Sequence, residues 1–245
     1  MNKVRIGFFS FTEITDPTKH RAYNEWHQLD HMPEQFPIRG VAYGQRWVST
    51  LACRDARAVD EGLIGPVHYM TLYLMTDPVD ETLDQFMDLG QGLRSLGRFP
   101  DYRASHLSGP FQFLEAASAQ RVLISPEAVP YRPNRGIYVI VEEPTTPERL
   151  DEWVQRLHVE HIPRVLEVDG VVGVWDFASI PRFASRFGTG NRRITMCYLD
   201  ADPLAVAKAI GPELEDRWHD APVRPVFAGP FETVIPYQWD WFEGS

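Results

Sequence analysis

The segment from Lys19 to Trp47 gathers side chains that can move protons: His20, Tyr23, Trp26, His27, Asp30, His31 and Glu34. His27 and His31 stand four residues apart, so on a helix their rings share one face. Imidazole titrates near neutrality, and two rings one turn apart can hold a proton on one and accept it on the other. Asp30 or Glu34 can orient a ring and raise its basicity, while Tyr23 can hydrogen-bond a carbonyl or phenolate oxygen. Such a set suits isomerisation, ring closure or carbon–carbon cleavage on a small aromatic or cyclic carbonyl or phenolic compound. The catalytic candidates are therefore His27, His31, Tyr23 and Asp30, and no organic cofactor is expected. A divalent metal is the runner-up, since two ligands at i and i+4 suit a helix, but Gln28 stands where an HExxH motif has glutamate. Haem ranks behind metal, because no haem attachment motif is present.

Two readings of that helix stay open. If Trp26 marks the inner face, Tyr23 and His27 point into a pocket between helix and sheet. Ala22, Leu29, Met32 and Phe36 form an apolar side of their own, and if that side is the inner one, His20, Tyr23, His27 and Glu34 are a solvated face. Trp26, Glu34, Arg46, Trp47, Tyr69 and Tyr73 are the candidate substrate-binding residues, the last four from strands facing the helix.

The spacing recurs. His161-Ile162-Pro163 and Gly170 repeat His31-Met32-Pro33 and Gly40, at an offset of 161 − 31 = 130 residues. Tyr73-Leu74 with Asp77-Pro78 recurs as Tyr198-Leu199 with Asp202-Pro203, and Gly109-Pro110-Phe111 as Gly229-Pro230-Phe231. Three matches in one order argue for a duplicated unit. In each copy a β-rich run precedes a helix, two strands, a second helix started by Asp-Pro, and a closing strand. Each half thus reads β-α-β-β-α-β, the split-βαβ order, with halves 1–130 and 131–245. Sheets with helices on one face can bury their bare faces together, giving an α+β barrel of two ferredoxin-like repeats about a pseudo-twofold axis. Superposing the copies on His-x-Pro sets Tyr23 against Trp153, His27 against Leu157 and His31 against His161. Superposing on Trp26 and Trp153 instead sets Tyr23 against Leu150 and His27 against Val154, so the two disagree about His31. Positions that are apolar in the second half are titratable in the first, which makes the first the candidate active half and His161 a core histidine.

Trp26-His27-Gln28-Leu29-Asp30-His31-Met32-Pro33-Glu34, followed by Gly40 and Arg46-Trp47, resembles the signature of the dimeric α+β barrel superfamily, and within it the EthD-like branch. Glu160-His161-Ile162-Pro163 with Gly170 resembles it too. The resemblance implies the barrel fold. It leaves activity open among isomerases, cyclases, lyases, oxygenases and haem enzymes. Rival readings are a non-catalytic binding or auxiliary barrel and a haem- or metal-dependent oxygenase.

The 245 residues carry 24 Lys and Arg against 34 Asp and Glu, a formal charge of −10, which argues against nucleic-acid and anionic-membrane partners. Cys53 and Cys197 alone provide no disulfide framework. The apolar run after Met1 is too short for a signal peptide or a membrane span, so the cytoplasm is expected. The expected partner is a small-molecule substrate, with a homodimer of the fused pair as the expected assembly. The arginines from Arg182 to Arg193 either recruit a carboxylate substrate or pair with the protein's own acids, and Arg46 and Asp176, at matched strand positions, are expected to pair. The aromatic tail Tyr237 to Phe242 is expected to pack over a barrel edge or a neighbouring subunit.

Overall fold

A computed structural model describes residues 3–243. Alternating apolar residues build eight strands: β1 (Val4–Ile14), β2 (Val41–Val48), β3 (Tyr69–Thr76), β4 (Arg103–Ser118), β5 (Gly136–Pro144), β6 (Val171–Ser179), β7 (Arg193–Leu199) and β8 (Val223–Thr233). They close into a barrel in the order β1-β3-β2-β8-β5-β7-β6-β4, with every pairing antiparallel. Each half therefore has the order fourth-first-third-second, as the split-βαβ pattern requires. The halves meet along β4–β6 and along a short β2–β8 joint, Trp47 opposite Thr233 and Val48 opposite Glu232. The helices are α1 (His20–Trp26, His27–His31 and Met32–Gln35, contiguous), α2 (Leu51–Asp55), α3 (Val79–Ser95), α4 (Leu150–Arg156, Leu157–His161 and Ile162–Glu167, contiguous), α5 (Pro181–Phe187) and α6 (Pro203–Trp218). Among the described residues no helix is long and apolar enough to cross a membrane.

The barrel interior is an apolar core, with Phe9, Phe11, Trp47 and Phe111 meeting Trp175, Phe177, Met196 and Phe231. Trp47, expected to line a pocket, is one of these inward residues, and its indole N–H donates to Asn134 Oδ1 at 3.1 Å. Side chains alternate faces along a strand, so Arg46 beside it points the other way, toward the helices.

The same parity corrects one of the repeat matches. Gly40 and Gly170 open β2 and β6 at φ of 99° and 89°. A Cβ at Gly40 would run into Thr82, and one at Gly170 into Ala201 and Val206. Their carbonyls accept from the N–H of Thr76 and of Asp200. Thr76 thus matches Asp200, an offset of 200 − 76 = 124, so Tyr73 matches Cys197. Tyr73 belongs to the outer, helix-facing core and Tyr198 to the barrel interior. The Tyr-Leu match in sequence is a one-residue slip, which changes the face of every side chain in a strand.

Proline disfavours helical geometry at the residue before it, yet Met32, which precedes Pro33, is helical at φ −66°, ψ −43°. A π-helical turn explains this. Met32 N–H donates to His27 carbonyl, five residues back, and Ile162 N–H likewise to that of Leu157. The extra residue in the turn re-registers the ladder where a proline lacks its N–H and would crowd the carbonyl four residues before it. The two turns lie 157 − 27 = 130 residues apart, which fixes the superposition on His-x-Pro.

Outside the barrel the halves differ. In the C-terminal half one continuous core joins Trp153, Leu157, Val165, Ile210 and Leu214 to the sheet. In the N-terminal half the helix–sheet layer divides in two. Phe8, Met32, Tyr73 and Phe86 lie in one part, and Ile14, Tyr23, Val48, Tyr69 and Trp239 in the other. Trp239 and Phe242, whose ring stacks on His20 at 4.0 Å, bring the aromatic tail onto this half.

Candidate active site

A cavity of about 400 Å³ separates those two parts, between α1, α3 and the outer faces of β1, β3 and β4. That volume falls in the range of about 300–1,000 Å³ usual for small-molecule sites. Ser10, Thr12, Thr71, Ser105 and Ser108 form its floor on the strands. Tyr23, Trp26, His27, His31 and Gln35 form its roof on α1. Phe86, Met87, Gly90 and Phe99 wall one side, and Arg94 and Arg103 complete it.

The helix turns its titratable face inward. His27 is 5% exposed, whereas Leu29 and Phe36 of the rival apolar side are 48% and 44% exposed. Each imidazole lies nearly parallel to an aromatic ring one turn or so away. His27 lies on Tyr23 at 5.5 Å and 8°, and His31 on Trp26 at 4.7 Å and 12°, with 5.2 Å between the two imidazoles. The buried Nδ1 of both His27 and His31 has no hydrogen-bond partner. Burial, then the charge of Arg46, holds the His27 pKa well below the usual value, and burial with Arg103 brings His31 down to about 4. Both rings are therefore neutral at pH 7. The Tyr73 hydroxyl, also on the wall, is buried without a partner, and burial pushes its pKa up.

The remaining expected residues lie around the cavity rather than on it. Arg98 takes both acids: its guanidinium pairs with Asp30, and with Glu34 at 2.7 Å, so neither carboxylate supports an imidazole. These pairs, with the Trp26 indole N–H donating to the Arg98 carbonyl at 2.7 Å, fix the chain that presents Phe99. Tyr69 is fully buried, its hydroxyl 3.0 Å from His20 Nδ1 and accepting from Asn24 Nδ2 at 2.9 Å. Arg46 donates to Asn24 Oδ1 at 2.9 Å and to Gln28 Oε1 at 3.4 Å, and lies over the Tyr23 ring at 5.2 Å. Arg46 does not pair with Asp176, which is taken by Arg193 and His158. His68 sits apart, accepting from the Ile14 N–H and paired with Arg54. The arginines after Pro181 pair with the protein's own acids: Arg182 with Asp80, Arg186 with Asp84 and Arg192 with Glu143.

Sequence reading missed Arg94, Phe99, Arg103 and the hydroxyl floor. A signal was present. Ser10 and Thr12 alternate with phenylalanines along β1, whereas their register equivalents on β5 are Ile140 and Glu142. β4 also begins at Arg103, well before the apolar run at Phe111, because its first half carries polar residues facing the cavity.

In the C-terminal half the corresponding space is filled. Trp153 and Leu157 replace Tyr23 and His27, and Arg217 reaches in from α6 to grip Glu142 through bonds of 2.8 and 2.7 Å. His161 is buried and accepts from Arg156 at 3.1 Å. Among the described residues no group of three or more His, Cys, Asp or Glu side chains is placed to hold a metal ion.

No family model matches the chain, and no curated protein matches it. Solved structures do match over nearly its whole length. A candidate chlorite dismutase is 13% identical, with 98% of each chain covered and a TM-score of 0.54. An anthrone oxidase-like protein is 10% identical, with 96% and 94% covered and a TM-score of 0.53. A heme-binding protein from Thermus thermophilus is 13% identical, with 96% and 95% covered and a TM-score of 0.50. The chain shares their fold, the ferredoxin-like α+β barrel with its repeats side by side. The expected cofactor-free isomerase or lyase does not stand against these neighbours, which are described as heme-binding, oxidase-like and dismutase proteins. The expectation of no cofactor falls with it. Part of the physical ground goes too, since neither buried imidazole is an imidazolium at neutral pH that could serve as the acid of the pair.

Proposed function

We propose that the N-terminal cavity is a haem site and that the protein is a haem-dependent oxidising enzyme, of oxygenase or peroxidase type, acting on a small aromatic compound. The observation that carries this reading is the pair of neutral imidazoles, His27 and His31, on one cavity wall with buried, unpartnered Nδ1 atoms. The lining fits the group. Iron is ligated by neutral imidazole, and a haem brings four nitrogens of its own, so one histidine completes its protein ligation. Trp26, Phe86 and Phe99 offer flat apolar surface to a macrocycle, and Arg94 and Arg103 would receive its carboxylates.

When bound, haem supplies one-electron and oxygen chemistry that no side chain provides. His27 or His31 would hold the iron through a ring nitrogen, leaving the other imidazole and the Tyr73 hydroxyl to hydrogen-bond a substrate oxygen. The aromatic wall excludes water. Residues 1–130 are the active half in this reading and residues 131–245 its closing partner. The matched π-helical turns support an origin by duplication of one EthD-like unit.

Haemin titrated into the purified protein tests the reading. A 1:1 complex with an iron–imidazole Soret spectrum is expected, lost in His27→Ala or His31→Ala, together with peroxide- or oxygen-dependent oxidation of a phenol. Absence of a stoichiometric complex, or a spectrum unchanged in both variants, would overturn it.

A further inference from the structure

We infer that whatever fills the N-terminal cavity is an anion, a planar conjugated ring system bearing a carboxylate, received by Arg103 and Arg94 in the field of Arg46. The inference rests on the cavity being a binding site, and it names the charge of the occupant. The chain as a whole is acidic, at −10. Several of its other arginines are paired with carboxylates: Arg98 with Asp30 and Glu34, Arg193 with Asp176, Arg217 with Glu142. The cavity lining includes two arginines and neither Asp nor Glu.

Arg46 is 2% exposed, yet its side chain meets only neutral groups, among them the amide oxygens of Asn24 and Gln28 and the Tyr23 side chain, and its Nε has no partner. Arg103 donates to Ser105 Oγ at 2.8 Å, and its buried Nε is also unpartnered. The Arg103 and Arg94 guanidinium groups lie 5.0 and 5.1 Å from the Phe99 ring, and Arg103 lies 5.6 Å from Trp26. A buried charge without a counter-ion costs stability, and a bound anion removes that cost. Tyr73, 3% exposed, adds an O–H donor on the same wall with no acceptor. Unpartnered donors thus remain at Arg46, Arg103 and Tyr73, and the surrounding surfaces are flat and aromatic. Guanidinium forks match carboxylate oxygens.

A carboxylate on a conjugated ring has two sources, the propionates of haem and a free aromatic acid. Two ligand pairs separate them: haemin against its dimethyl ester, read by Soret absorbance, and 2-naphthoate against methyl 2-naphthoate, read by isothermal titration calorimetry. At low salt the acid of at least one pair should bind about tenfold or more tighter than its ester, the size of a hydrogen bond to a charged group. Added salt and the Arg94→Gln/Arg103→Gln variant should both bring that preference under about threefold. Arg94→Gln alone, at an exposed helical position, should lower it part-way and serves if the double variant melts early. A preference in the haemin pair alone assigns the propionates, and one in the naphthoate pair alone assigns a free acid; either sustains the inference. Equal binding of acid and ester in both pairs, no binding of either acid, or a preference untouched by the arginine changes overturns it. No haemin complex beside charge-selective naphthoate binding would sink the haem reading and leave this one standing.

Discussion

The two halves of the barrel place a similar helix over a similar sheet and treat buried charge in opposite ways. In the C-terminal half Arg217 meets Glu142 at 2.7 Å, Trp218 donates to the same carboxylate at 2.8 Å, and Arg193 and His158 share Asp176. Each buried charge there has an opposite charge inside the protein. In the N-terminal half Arg46 has neutral oxygens and π faces but no carboxylate, and the cavity beside it is lined by two more arginines and no acid. Low dielectric makes an unpaired charge expensive, so the contrast separates charges neutralised within the protein from charges left for something bound.

The largest effect that can test this contrast lies in the filled half. Arg217→Met would strand a fully buried Glu142 and should cost about 3–5 kcal/mol in urea unfolding, whereas Glu142→Leu with Arg217→Met should regain most of the loss. Equal small losses in both would mean the pair is not the core it looks to be.

Acid should act next, through the open half. The pKa is lowered to about 4 for His20 and His31 and to about 3 for His68, and lies well down for His27, in each case first by burial. In the unfolded chain these rings titrate near 6.5, so below that pH the unfolded state binds more protons and stability falls. The melting temperature should hold level above pH 7 and drop by about 5 °C or more between pH 6.5 and 4.5. A flat profile across that window would contradict buried neutral imidazoles.

Arg46→Met should behave unlike Arg217→Met. It leaves no carboxylate behind, so unfolding should shift by about 1 kcal/mol or less while affinity for anionic ligands falls. A loss comparable to that of Arg217→Met would show that Arg46 is structural. The smallest effect belongs to Gly92→Ala on α3, outside the cavity lining, where a Cβ would meet nothing within 4 Å. Helix propensity should raise stability by about 0.5–1 kcal/mol without loss of ligand binding.

Much of the fold could be read in the sequence because its signals are local or periodic. The proline–glycine spacing after each histidine located the matched helices and strands, and alternation in β1 and β5 located the sheet. The candidate site was legible where it lay on a single helix, as with Tyr23, His27 and His31. It was obscured where a one-residue parity decides the outcome. Trp47 and Arg46 are neighbours on β2, and only one can face the helices. Asp30 and Glu34 were misassigned because their partner, Arg98, comes from a distant loop, and sequence gives no measure of that proximity. Arg94, Phe99 and Arg103 were missed for the same reason.

Hydrogen–deuterium exchange with and without haemin addresses the division between the halves most directly. Binding at the N-terminal cavity predicts slower exchange across residues 20–35 and 86–105, with residues 150–167 unchanged. Equal protection of both helices, or protection of the C-terminal one alone, would contradict the assignment of the open half as the binding half.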